Sequence, residues 1–265
     1  MSSSNPIGVF DSGVGGLSVF RAIRDELPLE DLIYVGDSGF APYGDRSHDF
    51  VQSRAAAIAD HLVRDGSKAV VVACNTATGI AVDLLRLRFP EIPIVAVEPA
   101  VKPAAARTKS GVVGVLATSG TLASPNVTRL LNRYGVDVEI LTQAGTGLVE
   151  QVEKGELSGE RTRALVQKLV RPMVEKGADV LVLGCTHYPF LRSQIEEAAG
   201  PGVEIIDPAT AVARELRRRL ETTGLLADGR QRQATERFLT TGSPAEVSPI
   251  MSQLLGKPVE VERFP

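Results

Sequence analysis

Both cysteines of this chain stand where an apolar run ends and polar residues begin. Cys74 lies in "VVVACNTAT" at 70–78, and Cys185 lies in "LVLGCTHYP" at 181–189. A thiolate can act as a base, and a neighbouring imidazole or carboxylate can hold or deliver its proton. Two such groups on opposite faces of one carbon could invert a stereocentre, because one would remove a proton and the other would return one.

An aspartate and a histidine are the side chains that could assist these thiols. His187 follows Cys185 by two residues, and Asp11 begins the stretch "DSGVGG". We predict a catalytic set in which Asp11 assists Cys74 and His187 assists Cys185. Simpler interpretations stay open, since a lone cysteine is commonly an inert buried thiol and an aspartate before a helix commonly caps it.

Polar stretches that could hold a small ligand follow several strand-like runs. They are "FDSGVGGLS" at 10–18, "ACNTAT" at 73–78, "ATSGT" at 117–121 and "GCTHYP" at 184–189. The glycines of the first stretch could instead cradle a phosphate, but they lack the spacing of dinucleotide and phosphate-binding loops. The third stretch could instead cap a helix that begins at Leu122. The pattern favours a small polar ligand over a nucleotide.

Short apolar runs rich in β-branched residues alternate with helix-like segments. The runs begin near residues 6, 32, 68, 93, 111, 138, 178 and 203. Continuous apolar runs are typical of parallel strands buried on both faces. The helix-like segments before Gly66 and Gly177 each end on a glycine that can cap them. The alternation predicts an α/β fold with mostly parallel central sheets flanked by helices, and "ERFLTTG" and "KPVEVERF" predict a final pair of strands around a helix.

The predicted elements divide into two similar domains. A chain of 265 residues is near the length at which one hydrophobic core gives way to two. Breaks near 97–105 and 206–210 predict one domain at 1–98 plus 209–265 and a second at 99–208. Each domain then carries one thiol and its predicted helper. Because ligands bind outside the carboxyl ends of parallel strands, we expect the active site in the cleft between the domains.

The composition argues against several classes of protein. The chain is 43% hydrophobic and 23% charged, with a net charge of −3, so we expect no nucleic-acid partner and no membrane partner. The basic run "RELRRRL" at 214–220 is interpreted as a solvated helix face. No signal-like or membrane-spanning stretch is recognised, which predicts a cytoplasmic protein. Two cysteines and three histidines suggest neither a disulfide framework nor a metal site.

The motifs together resemble the glutamate racemases of the cofactor-independent aspartate/glutamate racemase superfamily. They are "GVFDSGVGGLSV" at 8–19, "PYG" at 42–44, "ACNTAT" at 73–78, "ATSGT" at 117–121 and "GCTHYP" at 184–189. The resemblance implies interconversion of L- and D-glutamate without pyridoxal phosphate or metal, and a supply of D-glutamate for peptidoglycan. It assigns removal of the α-proton of D-glutamate to Cys74 and of L-glutamate to Cys185. Members are often dimers, so a homodimer is expected.

Residues at the matched motifs are expected to hold glutamate: Asp11, Ser12, Pro42, Tyr43, Gly44, Asn75, Thr76, Thr118, Thr121 and Thr186. The chain departs from the family pattern in "SGFA" before "PYG", where many members have a threonine-alanine-arginine stretch. It departs again at 144–155, where "CP" commonly precedes the loop and helix. The second departure leaves Glu150 and Glu153 without an assigned role.

Other functions stay open from the sequence. An aspartate racemase or a broader amino-acid racemase would use the same chemistry. A thiol redox protein is conceivable with two cysteines, although neither lies in a C-x-x-C motif. A binding module without catalysis could use the same cleft.

Overall fold

Two β-sheets organise the chain, which the computed structural model describes at residues 2–227 and 233–265. The strands in these residues are β1 (Ile7–Asp11), β2 (Leu32–Gly36), β3 (Ala69–Val72), β4 (Ile94–Ala96), β5 (Val112–Ala117), β6 (Glu139–Ala144), β7 (Val180–Gly184), β8 (Glu204–Ile206), β9 (Glu236–Thr240) and β10 (Val261–Arg263). The helices are α1 (Leu17–Glu26), α2 (His48–Arg64), α3 (Asn75–Arg88), α4 (Val101–Arg107), α5 (Ser119–Leu122), α6 (Pro125–Tyr134), α7 (Leu148–Glu153), α8 (Glu160–Glu175), α9 (Arg192–Ala199), α10 (Ala209–Thr222) and α11 (Pro244–Leu255).

The strands pair in parallel throughout the described part of the chain. The first sheet has the order β10-β9-β2-β1-β3-β4 and the second has the order β6-β5-β7-β8. The predicted α/β fold is therefore confirmed, including the final strand pair around α11. The second sheet uses β5 to β8, and the first uses strands on either side of them in the sequence. The domain bounds at 1–98 plus 209–265 and at 99–208 stay a prediction.

Helices cover both faces of the first sheet. Val9 of β1 belongs to a core shared with residues of α1 and α10. Its neighbour Phe10 belongs to a second core shared with residues of α2 and α3. Successive side chains of a strand point to opposite faces, so a strand between two layers of helices must be apolar at every position. This explains the continuous apolar runs of the sequence.

Glycines end two helices as predicted. Gly66 follows α2 with φ +86° and Gly177 follows α8 with φ +96°. A left-handed backbone is inexpensive only for glycine, which makes it the common residue just after a helix. Both glycines direct the chain into a strand, β3 and β7, and each of these strands leads to a cysteine. No helix in the described residues is long and apolar enough to cross a membrane.

Asp179 holds the turn that leads into the second sheet. Its carboxylate accepts hydrogen bonds from the Thr108 hydroxyl at 2.5 Å and from the N–H groups of Lys109 at 2.7 Å and Ser110 at 2.9 Å. Partial burial acts to raise the pKa of Asp179, but these hydrogen bonds outweigh it and lower that pKa from 3.8 to about 2. The charged carboxylate therefore stabilises the fold at neutral pH.

We expect Asp179→Asn to lower the free energy of unfolding by about 1 kcal/mol at pH 7, because solvent screens this partly exposed carboxylate. Because the folded-state pKa is depressed, this contribution is present above pH 3.8 and is lost as the pH falls through about 2. Denaturant unfolding of both proteins across this pH range measures it. Asp137→Asn, at an exposed position, is the control. A difference that does not change with pH would contradict the assignment.

Candidate active site

The two thiols lie at equivalent places in the two sheets. Cys74 follows β3 and occupies the N-cap position of α3, where its sulfur accepts a hydrogen bond from the N–H of Ala77 at 3.4 Å. Cys185 directly follows β7. Both are free cysteines, 5% and 6% exposed. The sequence rule that placed them at the carboxyl ends of buried parallel strands is confirmed.

One cavity brings together the predicted site residues. It is lined by Ser12, Pro42, Tyr43, Gly44, Cys74, Asn75, Thr76, Thr118, Thr121, Val149, Cys185, Thr186 and His187. Of the predicted residues, only Asp11 does not line it, and Val149 is a lining residue that the motifs did not indicate. Cys74 enters the cavity from the first sheet and Cys185 from the second. The geometry therefore assembles the set, while the role of each residue stays a prediction.

Asp11 lies behind the cavity wall and is fully buried. Its carboxylate accepts hydrogen bonds from the N–H groups of Gly13 at 3.3 Å and Gly16 at 3.0 Å, and from the Thr186 hydroxyl at 3.2 Å. Gly16, not Asp11, is the N-cap residue of α1, and no side chain caps this helix; Asp11 instead holds the turn that precedes it. Burial raises the pKa of Asp11, against the opposing effect of His187.

The hydrogen bond of Cys74 runs to Ser12 rather than to Asp11. The thiol donates to the Ser12 hydroxyl at 3.6 Å. Burial, followed by the charge of the nearby Asp11 carboxylate, raises the pKa of Cys74 to about 12. Asp11 thus acts on this sulfur through its electric field, and Cys74 is protonated at neutral pH. Direct assistance of Cys74 by Asp11 stays a prediction.

His187 connects Cys185 to a carboxylate. Its Nδ1 lies 3.6 Å from the Cys185 sulfur, and its Nε2 lies 2.6 Å from Oε1 of Glu153. The same Glu153 oxygen accepts a hydrogen bond from the N–H of Val14 at 2.7 Å. Burial acts to lower the pKa of His187, but the hydrogen bonds to Cys185 and Glu153 outweigh it and hold that pKa well above its ordinary value. The structure therefore places a protonated imidazole next to the Cys185 sulfur.

Glu153 is the site residue that the sequence analysis missed. It ends α7, in the stretch 144–155 to which the sequence analysis assigned no role. Its two partners lie 34 and 139 residues away along the chain, so no local spacing indicates the contact. A carboxylate that orients the second nitrogen of a functional histidine is a common arrangement, and this general rule is the only signal that could have found it.

The glycines of "DSGVGG" make room for the second sheet's loops. A Cβ atom at Gly13 would lie 1.8 Å from Oε1 of Glu153, and one at Gly15 would lie 2.2 Å from Nδ1 of His187. At Gly16 it would lie 2.5 Å from the Cβ of Asp11. Close approach of side chains therefore explains these glycines without a phosphate.

A cluster of three hydroxyl groups joins the two sheets at the other side of the cavity. Thr76 lies 3.0 Å from Thr118 and 3.1 Å from Thr121, and Thr118 lies 2.9 Å from Thr121. Thr118 is also the N-cap of α5, which begins at Ser119 and not at Leu122. The interpretation of "ATSGT" as a helix cap is thus also correct, although the capped helix begins three residues earlier than expected.

Asn75 presents an unused amide to the cavity. The residue is 5% exposed, and neither its Nδ2 nor its Oδ1 has a hydrogen-bond partner among the described residues. Buried polar groups are almost always paired, so this amide is available to a polar ligand as both donor and acceptor. The same residues contain no group of three or more His, Cys, Asp or Glu that could hold a metal ion.

Comparison with known proteins places this geometry in a family. The family model described as Asp/Glu/Hydantoin racemase matches residues 7–216. The glutamate racemase of Pseudomonas paraeruginosa is 50% identical over 263 residues, which cover 99% of this chain and 98% of that protein.

Solved structures agree with the sequence match. A glutamate racemase isoform from Bacillus anthracis has a TM-score of 0.89 at 35% identity, over 99% of this chain and 98% of the other. The Francisella tularensis glutamate racemase in complex with D-glutamate has a TM-score of 0.86 at 29% identity, over the same shares of 99% and 98%. The resemblance predicted from the motifs is confirmed, and the chain belongs to the Asp/Glu/Hydantoin racemase family, among its glutamate racemases.

Proposed function

We propose that this protein interconverts L- and D-glutamate by proton transfer between two thiols, without a cofactor. The observation that carries the proposal is that Cys74 and Cys185 line one cavity, each from the end of a strand in a different sheet. The 50% identity to a glutamate racemase over nearly the whole chain supports glutamate as the substrate.

In the L to D direction, Cys185 is the base. Its thiolate takes the α-proton of L-glutamate, so a C–H bond breaks, an S–H bond forms and the electron pair stays on the substrate. The Cys74 thiol then gives its proton to the opposite face of the same carbon. The D to L direction reverses the two roles, as the family resemblance assigns them.

The surroundings of the two sulfurs suit this starting state. The pKa of Cys74 is raised to about 12, so this thiol carries the proton that it must donate. Cys185 lies beside the His187 imidazole, whose raised pKa keeps it protonated at neutral pH. The hydrogen bond between Glu153 and His187 fixes the imidazole orientation, with Nδ1 toward the sulfur.

The carbanion needs hydrogen-bond donors, since an amino-acid α-proton is far less acidic than a thiol. The unpaired Asn75 amide lies beside Cys74, and hydroxyl groups of Thr76, Thr118, Thr121 and Thr186 line the same cavity. The first N–H groups of α3, which begins at Asn75 beside the cavity, lack helical acceptors. Donors preorganised around the substrate carboxylate stabilise the developing charge, and burial makes them more effective than they would be in water.

We also propose the cellular setting that the family resemblance implies. The protein would supply D-glutamate for peptidoglycan, act in the cytoplasm and form a homodimer. The proposed domains at 1–98 plus 209–265 and at 99–208 are joined by hydrogen bonds from Thr186 to Asp11 and from Val14 to Glu153.

The first prediction from the proposed function concerns the substrate. We expect a much higher kcat/KM for glutamate than for aspartate, because the relatives over the full chain are glutamate racemases. Circular dichroism of the purified protein with D-glutamate, L-glutamate and D-aspartate measures it. A higher kcat/KM for aspartate would overturn the substrate assignment and leave the two-thiol mechanism in place.

The second prediction concerns His187. We expect His187→Asn to lower kcat by about 10²-fold to 10⁴-fold, and more strongly from L-glutamate, where Cys185 is the base. The equilibrium constant between mirror images is one, so a directional loss in kcat must be matched in KM. His48→Asn, at an exposed position, is the control. Equal losses in kcat in both directions would remove the specific link to Cys185.

The third prediction concerns the origin of the new α-hydrogen. In deuterated water, starting from one enantiomer, early product should carry deuterium while recovered substrate stays protonated. Each face then has its own base, and the donating thiol has exchanged with solvent. A single base that serves both faces would instead bring label into both enantiomers.

Cysteine-to-serine variants test the same mechanism by removing one thiol at a time. Cys74→Ser and Cys185→Ser should each nearly abolish racemisation, because an alkoxide is much harder to form than a thiolate. Cys185→Ser should still exchange the α-proton of D-glutamate slowly through Cys74, and Cys74→Ser that of L-glutamate through Cys185. The double variant gives the baseline. Substantial racemisation by either single variant would rule out the two-thiol mechanism.

A further inference from the structure

One wall of the cavity is a loop whose position the catalytic groups do not explain. This loop joins β2 to α2 and contributes Pro42, Tyr43 and Gly44 to the lining. It carries no residue of the catalytic set. Loops are commonly the more mobile parts of a fold, so a wall built from one needs an anchor.

Tyr43 anchors the loop from within. Its side chain is 1% exposed, and its hydroxyl donates a short hydrogen bond to Oδ2 of Asp37. Burial and the Asp37 carboxylate raise the pKa of Tyr43 well above its ordinary value, so the phenol stays neutral and keeps its proton to donate. The hydroxyl is thereby committed to Asp37, and the cavity wall is formed by the ring and the backbone of this stretch.

Asp37 in turn depends on Arg54 of α2. The Asp37 side chain is fully buried, and a buried carboxylate without a cation is strongly unfavourable. Arg54 donates from Nε to Oδ2 at 2.9 Å and from a terminal nitrogen to Oδ1 at 2.7 Å. Its guanidinium lies over the Phe40 ring, 4.0 Å from the centroid. This two-point geometry fixes the carboxylate in position and orientation, which a lysine could not do.

The anchored loop also bears on the second sheet. A Cβ atom at Gly44 would lie 3.2 Å from that of Thr118, and one at Gly120 would lie 2.5 Å from the Gly44 carbonyl oxygen. The loop is thus held between α2 on one side and the hydroxyl-bearing turn of the other sheet on the other. A shift of the loop would move the wall against which the ligand packs.

We propose that Arg54 is a positioning residue for glutamate, acting through Asp37 and Tyr43 to hold the 42–44 wall in place. This inference rests on the proposed function. Phe40 of "SGFA" supplies the ring on which the arginine lies.

The position of these groups predicts which kinetic constant changes. Arg54 lies outside the cavity lining, while the two thiols, His187 and Asn75 belong to other segments of the chain. Loosening the wall should weaken binding of the substrate and transition state alike, which raises KM and leaves kcat nearly unchanged. We expect Arg54→Met to raise KM about tenfold for both enantiomers, with kcat within about threefold.

Arg88 offers a matched control. Arg88 ends α3 and binds Asp60 of α2, the helix that also carries Arg54. The two hydrogen bonds, at 2.8 Å and 2.7 Å, have the same two-point geometry, but both side chains are partly exposed to solvent. Arg88→Met should leave KM and kcat at the native values. Arg54→Lys keeps the charge but not the fork, so its KM should lie between those of the native protein and Arg54→Met.

A double-mutant cycle separates positioning from general damage. Tyr43→Phe removes the hydroxyl that Asp37 holds and should raise KM in the same direction. Combined with Arg54→Met, it should raise KM by less than the product of the single effects, because both changes break one chain of contacts. Tyr43→Phe and Arg54→Lys carry the test if Arg54→Met does not fold.

Several results would overturn the inference. The Arg54 variants could keep the native KM, or they could lose only kcat. Arg88→Met could raise KM as much as Arg54→Met does, or the effects of Tyr43→Phe and Arg54→Met on KM could multiply independently. The proposed function is tested separately: it is wrong if the native protein does not racemise glutamate. A native protein that racemises glutamate while Arg54→Lys and Arg54→Met keep its KM refutes only the role of Arg54.

Discussion

The contact between Glu153 and the loop after β1 is the interaction on which the site depends. One carboxylate oxygen binds the N–H of Val14 in the first half of the chain and the His187 imidazole in the second. It fits because Gly13 and Gly15 have no side chains at the points of approach. If this approach were relaxed, His187 would lose its partner, the imidazole beside Cys185 would no longer be held, and the loops from the two sheets would separate. The glycines are therefore a condition of the chemistry, although they touch no ligand.

Burial of this site is costly and useful for the same physical reason. Low polarity raises the pKa of Cys74 and of Asp11, since it disfavours charge. Charged side chains at this site are paired with a group of opposite charge, as in His187 with Glu153 and Asp37 with Arg54. The neutral Asn75 amide has no hydrogen-bond partner among the described residues. An unpaired buried polar group lowers stability, and a polar substrate that binds to it would offset this cost.

The sequence predicts those parts of the site that follow from local order, and it fails where distant segments meet. Cys74 and Cys185 were predictable because a buried strand followed by polar residues directs the next side chain to the ligand-binding edge. The helix-capping role of Thr118 was also visible as an alternative, and it coexists with a place at the site. Glu153 was not predictable, because its contacts join segments far apart in the sequence. The Arg54 fork on Asp37 was missed for a related reason, since side-chain pairing depends on how α2 packs.

The two sulfurs occupy equivalent strand ends but unequal surroundings. L- and D-glutamate have equal free energies in solution, so kcat/KM must be the same in both directions whatever the protein does. The surroundings of the two sulfurs differ, with the Asp11 carboxylate near Cys74 and the His187 imidazole near Cys185. This difference can change the individual values of kcat and KM in each direction, but not their ratio. In the proposed mechanism the free enzyme carries its proton on Cys74, and each L to D turnover leaves the proton on Cys185 instead. A second turnover from the same enantiomer must wait until the protons return through solvent, so the groups that connect the buried sulfurs to water bear on turnover as directly as those that touch the substrate.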